Sequence, residues 1–245
     1  DSKRRKRAKP VIEVHYIEDL TTPLIAEFIG EKVILKNIAP KTANRYREII
    51  SRLVSWAVDQ RGVRLPGGRN PATKVERYRQ PATEIRFLNL DQIAGQFAVL
   101  KDAPFFQAIV AMYIYAGLRR AEALWLRPED VVLDAGRYGM IRVRAKTIDG
   151  EHWEPKTKVN RAVPISRLLR EYIDAYQKEG VPRGWYFPSP HGTRWDPDNF
   201  SHALQRINRR ADLPWSCLDY RHTFGSHLAM KGESLYKIST LLGNS

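Results

Sequence analysis

Apolar side chains recur at three- and four-residue spacings over residues 40–60, where Ala43, Tyr46, Ile49, Ile50, Leu53, Val54 and Ala57 fall on one face of an amphipathic helix. A shorter helix is expected over Pro23–Val33. The glycines and prolines between Gly62 and Pro71 cannot continue a helix, and the polar run from Lys74 to Glu84 carries little core-forming material. These two features place an interdomain linker near residues 76–86. A new domain starts at Asn89, which caps a helix in a capping-box arrangement with Gln92 and turns Ile93, Phe97 and Leu100 inward. The most apolar stretch, Phe105 to Leu118, is interrupted by Gln107 and is too short to span a bilayer, so it reads as a buried helix that delivers Arg119 near its end. After Gly136, the segment Met140-Ile141-Arg142-Val143-Arg144 alternates apolar and basic residues as a strand does. With a turn at Asp149-Gly150 and a second extended run, Arg161 to Ile165, it predicts a small antiparallel sheet. Helices follow over Ser166–Glu179, Pro197–Ala211 and Arg221–Lys231, and a last one begins near Ser234. The fold class is therefore mainly α with a small antiparallel β-sheet. A basic flexible arm (1–10) precedes an all-α domain (11–80) and an α+β domain (81–245).

A length of 245 residues suits two domains and at least one sizeable core. The chain holds 41 Lys and Arg against 27 Asp and Glu, a net charge of +14. Its first nine residues, DSKRRKRAK, account for only part of that excess, so the folded body is basic too. Such a body suits a polyanionic partner, because Lys and Arg facing phosphates release condensed counterions. The arm reads equally as a solvated tail, a localisation signal or a DNA contact. On the 40–60 helix, Lys41, Arg45, Arg47 and Arg52 make the polar face mostly basic, a candidate surface for a DNA backbone. A single cysteine, Cys217, rules out an internal disulfide and offers no cysteine pair for zinc, which fits a reducing compartment. The basic start is not followed by an apolar core segment, so no signal peptide is expected. A cytoplasmic, nucleoid-associated protein without a membrane partner is the expectation.

The chemistry concentrates in two short motifs about a hundred residues apart. Gly117-Leu118-Arg119-Arg120-Ala121-Glu122 and Leu218-Asp219-Tyr220-Arg221-His222 each place an arginine beside an apolar helical run. Two such arginines suggest one anion held between them, a phosphodiester in a DNA-binding chain.

The segment Ala116–Leu124 resembles the first-arginine box of the tyrosine recombinases, the phage-integrase family, and Leu218–Leu228 is similar to that family's His-x-x-Arg-His region. Leu241-Leu242-Gly243-Asn244-Ser245 resembles its Leu-Gly-His-Ser stretch. Pro155-Lys156-Thr157-Lys158, followed by Arg161-Ala162-Val163-Pro164-Ile165, resembles the hairpin of its catalytic lysine. Four boxes in the right order cover residues 89–245; the helical N-terminal part fits the family's core-binding domain in length and character only.

The resemblance implies a metal-free, cofactor-free reaction in which a tyrosine attacks a DNA phosphodiester, forms a 3′-phosphotyrosyl link and releases a 5′-hydroxyl. Arg119 and Arg221 would grip the non-bridging oxygens through guanidinium forks. Lys156 would be the general acid, ahead of its competitors Lys146 and Lys158. Glu122 would orient Arg119 or stabilise a helix end. Leu218 stands where the family has a proton-transferring histidine. His222 is expected to be a buried, hydrogen-bonded structural residue, and His227 is also expected to be structural. Asn244, in the place of a histidine or tryptophan, can bond a phosphate oxygen but carries no proton. The family's nucleophile belongs roughly two to three helical turns beyond Asn244, so the 245 residues are expected to be a fragment that binds DNA without cleaving it. Two other readings stay open: a type IB topoisomerase-like enzyme and a catalytically impaired DNA-binding relative. The implied partners are double-stranded DNA and, for the full-length recombinase, a homotetramer on DNA in which the two domains close around the duplex; the fragment alone is expected to be monomeric.

Overall fold

The computed structural model describes residues 14–82, 84–180 and 183–244; the basic arm and Ser245 lie outside them. The chain divides into two compact units, the first ending at Thr83 and the second beginning at Glu84.

In the first unit, α1 (Thr22–Lys36) and α2 (Pro40–Arg61) pack around Ile25, Ile29, Ala43, Ala72 and Val75. Thr21 caps α1 by accepting from the Leu24 N–H at 3.4 Å, and Gly62, at φ 66°, ends α2 in the left-handed region. The polar run after the short 3-10 turn Pro71–Lys74 folds back on α2 rather than leaving it. The Asn44 carboxamide donates to the Tyr78 carbonyl and accepts from the Tyr78 N–H, both at 2.9 Å. The apolar face of α2 is wider than its core: Val54 and Ala57 are buried, but Ile49, Leu53 and Trp56 are exposed, so the expected inward turn of Ile49 and Leu53 is not met.

In the second unit, Asn89 and Gln92 form the expected capping box at the start of α3 (Leu90–Val99), with Asn89 Oδ1 accepting from the Gln92 N–H at 2.8 Å. Helix α4 (Pro104–Ala116) is the central rod, with every residue from Ala108 to Ile114 buried. Chain reversal at Gly117, φ 64°, leads into the short α5 (Arg120–Leu124). Strands β1 (Val131–Val132), β2 (Met140–Val143), β3 (Lys146–Ile148), β4 (Glu151–Trp153) and β5 (Arg161–Pro164) make two small antiparallel sheets. One has the order β1-β2-β5, with Val143 opposite Arg161 and Ile141 opposite Val163. The other is the β3–β4 hairpin alone. Asp149-Gly150 closes that hairpin, not a link between the Met140 and Arg161 strands. Both turn residues lie at positive φ, 52° and 80°, as a tight two-residue hairpin turn requires.

Helices α6 (Arg167–Gln177) and α8 (Cys217–Met230) pack on α4, and α7 (Pro197–Arg210) packs on α3 and α5. The last helix is α9 (Leu235–Leu242). Helix α8 starts four residues before the expected Arg221, because Ser216 caps it: the Asp219 carboxylate accepts from the Ser216 N–H at 2.8 Å. Leu218 and Arg221 therefore sit one turn apart on the same helix. A closed polar ring in the core locks α3, α7 and α8 together. Gln96 donates to Asn208 at 3.0 Å, Asn208 to the Tyr220 hydroxyl at 2.8 Å, and Tyr220 back to Gln96 at 2.8 Å. Each buried polar group in it has a partner, so the ring specifies register without an unpaired dipole.

Candidate active site

Arg119 is the residue before α5, in extended backbone, and Glu122 reaches back to accept from it twice. The Arg119 N–H donates to Glu122 Oε2 at 2.7 Å and its Nη1 to Oε1 at 2.9 Å. Arg221 reaches the same place from α8: its Nη1 donates to the Gly117 carbonyl and its Nη2 to the Leu242 carbonyl, the latter at 2.7 Å. Close approach at Gly117 is obligatory, because a Cβ there would lie 2.4 Å from the Phe224 ring. The two arginine boxes are thus brought together.

Asn244 stands between them. Its Oδ1 accepts from Arg119 Nη2 at 2.7 Å and from Arg221 Nη2 at 3.1 Å. Arg119 Nη2 also donates to the Gly243 carbonyl at 2.8 Å. The carbonyl end of α9, where the helix dipole is negative, is held by arginines on neighbouring segments. With its oxygen turned to both guanidinium groups, Asn244 keeps its own two N–H donors for another acceptor.

Glu122 is the counter-ion of the cluster, with a side chain only 1% exposed. Beyond the expected bond to Arg119, it receives both ends of the Arg161 fork, at 2.9 and 2.7 Å, and lies 3.8 Å from Arg221 Nη1. Burial pushes its carboxyl up, but the bonds and charge of Arg161 and the bonds from Arg119 outweigh this and hold it below the usual carboxylate value. Arg221 is pulled down to about 10 by burial and by the nearby Arg119, with Glu122 opposing, so it is charged at neutral pH.

A groove of about 570 Å³ opens over this cluster, lined by Arg119, Arg221, Lys156 and Leu218 together with Arg120 and His202. Lys156 sits in the turn between β4 and β5, on the approach to Arg161. Its two competitors are engaged elsewhere. Lys146 is ion-paired with the buried Asp130 carboxylate and donates to the Trp125 carbonyl at 2.9 Å. Lys158 pairs with Glu154 at 3.5 Å.

Leu218 is 60% exposed at the rim, where it can neither donate nor accept a proton. His222 is half-buried, without a hydrogen bond to the described residues, which departs from the bonded role expected of it, and it does not line the groove. The residue after Arg221 turns about 100° away around the helix. His227 is bonded through Nε2 to the Leu88 carbonyl at 2.8 Å, the structural role expected. None of the described tyrosines lines the groove. Tyr220 is committed to the Gln96–Asn208 ring, with its hydroxyl pushed above its ordinary value by burial, and Tyr236 is exposed on α9. Cys217 also borders the groove, where burial pushes its thiol up to about 11 and disfavours the thiolate. Among the described residues, no three His, Cys, Asp or Glu side chains gather as a metal site, and no helix is long and apolar enough to cross a membrane.

Two features escaped the sequence reading. Arg161 carries no motif of its own beyond the hairpin, and its partner Glu122 is 39 residues away. On α7, His202, Gln205, Arg206, Arg209 and Arg210 line a second groove of about 410 Å³, which shares His202 and Gln205 with the first. The signal was present there, since His202, Arg206 and Arg209 recur at helical spacing opposite Phe200 and Leu204. In the N-terminal unit, Lys41, Arg45 and Arg52 line a groove of about 350 Å³ with Glu48 and Gln80. Arg47 does not join them. Its guanidinium donates to the Val75 and Thr73 carbonyls, both at 2.7 Å, so the basic face of α2 is one residue poorer than expected.

Residues 88–245 match the sequence model of the phage integrase family. Tyrosine recombinase XerD of Rhizobium meliloti (strain 1021) is 30% identical over 146 residues, which cover 56% of this chain and 43% of that protein. The integrase of Escherichia phage 186 is 26% identical over 222 residues, covering 86% of this chain and 55% of its own length. The chain thus spans about half the length of these curated relatives. The same fold recurs in the Tn1549 transposon integrase in complex with a circular intermediate DNA, with a TM-score of 0.79 and 15% identity over 97% of this chain and 81% of that one. It recurs again in a lambda integrase tetramer bound to a Holliday junction, with a TM-score of 0.70 and 18% identity over 93% of this chain and 65% of that one. With both arginine boxes converging on one groove and the family's sequence pattern running from Leu88 to the last residue, this chain belongs to the phage integrase family of tyrosine recombinases.

Proposed function

We propose that the protein is the DNA-holding and phosphate-activating part of a site-specific recombinase, in which Arg119 and Arg221 grip one phosphodiester and Lys156 protonates the departing 5′-oxygen. The observation that carries this reading is the convergence of Arg119, Arg221 and Lys156 on a single groove, with Asn244 Oδ1 already bridging the two Nη2 donors. In the reaction the attacking tyrosine gives up its phenolic proton to solvent and forms a bond to phosphorus while the P–O5′ bond breaks, and the Lys156 ammonium gives its proton to O5′. Two arginine forks stabilise the extra negative charge of the five-coordinate phosphorus. Loss of one preorganised donor lowers the rate of such a step by roughly 10²–10³. The Asn244 amide N–H groups add a neutral donor to the same phosphate. The basic rows on α7 and on α2 extend the contact along the DNA backbone, each within its own unit.

This reading takes the nucleophile to lie outside the described tyrosines, supported by Tyr220 in the core ring and by a groove lining without a described tyrosine. Residues 1–245 are therefore expected to bind duplex DNA and to hold a phosphodiester without breaking it. Incubation with a nicked suicide duplex, followed by denaturing electrophoresis, checks this. A complex that dissociates in detergent is the expected result, and a covalent protein–DNA adduct sinks the reading. A catalytically impaired DNA-binding relative is the second reading, favoured by the exposed Leu218 at the proton-transfer position.

A further inference from the structure

Arg161 lies where three segments meet. It is the first residue of β5, five residues beyond Lys156, and pairs with Val143 of β2. Its side chain, 8% exposed, gives both Nη groups to Glu122 and its Nε to the Leu241 carbonyl at 3.0 Å. Gly243 packs flat on it, so that a Cβ at Gly243 would lie 2.7 Å from the guanidinium. The lysine turn, the first arginine box and the carbonyl end of α9 are therefore all referred to one guanidinium.

We propose that Arg161 is a positioning residue for the phosphate site, acting through Glu122 so that Arg119 and Arg221 are not drawn further onto that carboxylate and away from the groove. Glu122 is a buried carboxylate shared by three guanidinium groups. Arg119 already gives it one Nη and its backbone N–H, and Arg221 stands 3.8 Å away. A buried carboxylate deprived of Arg161 takes its missing bonds from those two neighbours, because an unpaired buried charge is far more costly than an unpaired surface one. Either arginine then turns its fork inward, and the donors now shared by Asn244 leave the groove. Arg161 thus acts on the phosphate without touching it, which separates it from the clamp itself. Its place on β5 also fixes one end of the Lys156 turn.

This inference rests on the reading of the groove as a phosphate site, and the test separates the two. Inorganic phosphate is titrated into the whole chain while the side-chain Nε–Hε resonances of Arg119 and Arg221 are followed by NMR, with thermal unfolding recorded for each variant. In the wild type both resonances move with one midpoint; if neither moves, the phosphate-site reading itself fails. In R161M the midpoint rises by about tenfold or more, since the orphaned carboxylate draws on the clamp. In R161M/E122Q, where no orphan carboxylate remains to recruit the clamp, the midpoint returns to within about threefold of the wild type. A merely structural role predicts the opposite, with the second substitution adding to the damage. R161K keeps the charge but not the fork, and its midpoint falls between those of wild type and R161M. A wild-type midpoint in R161M, or no recovery in the folded double variant, overturns the proposal. If R161M does not fold, R161K carries the same test against R161K/E122Q.

Discussion

At the residue scale the site is a balance between one buried carboxylate and three guanidinium groups. Asn244 is the residue on which that balance is most easily read, because its oxygen occupies the Nη2 donors of both clamp arginines. Asn244→Asp places a charged acceptor there, strengthens both bonds and plugs the clamp from within. Phosphate affinity is expected to fall by about tenfold or more while thermal stability holds or rises; an unchanged affinity contradicts the geometry. Arg221 sets the pH range. Its folded value is lowered to about 10, so the clamp is fully charged through neutral pH and loses charge only as pH rises through that value. Phosphate affinity is therefore expected to stay level on the acid side of pH 10 apart from the titration of phosphate itself, and to drop above it. An affinity already lost near neutrality by Arg221 discharge is the contrary result.

At the element scale, the tight chain reversal between α4 and α5 is what lets two distant arginines meet. Gly117→Ala forces a Cβ into the Phe224 ring at positive φ and is expected to cost about 2–4 kcal/mol in urea unfolding. It also moves the carbonyl that receives Arg221, so phosphate affinity falls with stability. Helix α2 makes the opposite kind of prediction. Arg47→Ala leaves two backbone carbonyls without their donor and lowers stability by about 1–2 kcal/mol, whereas Arg45→Ala and Arg52→Ala leave stability unchanged and weaken DNA binding. What was legible from the chain was local. The Asn89–Gln92 capping box, the periodicity of α2 and the apolar run of α4 each declare themselves within a few residues. The Glu122–Arg161 pair and the Asp130–Lys146 pair join segments 39 and 16 residues apart, and no short spacing reveals them. The β3–β4 hairpin was missed for another reason: Lys-Thr-Ile and Glu-His-Trp are too short and too mixed to alternate visibly, and the pairing rests on the turn and on the Trp153–Trp125 stack at 5.6 Å. Ile49 and Leu53 misled the reading because periodicity marks a helix face without saying whether anything covers it.

At the scale of the whole molecule, charge and site point to the same partner. The net +14 is dispersed over the arm, α2, α7 and the clamp, and DNA affinity is expected to fall steeply with salt. Removing Arg206 and Arg209 together should reduce the slope of log K against log salt by about one to two without altering the fold, since both are exposed on α7. The chain belongs to the phage integrase family, and the proposed reading sets a phosphodiester in the groove. The most direct measurement is the response of the Arg119 and Arg221 Nε–Hε resonances to a short nicked duplex in the unmodified chain, with binding followed in parallel by fluorescence anisotropy. The account predicts that both resonances shift and saturate together at the binding midpoint. Tight DNA binding that leaves those two resonances where they were contradicts it.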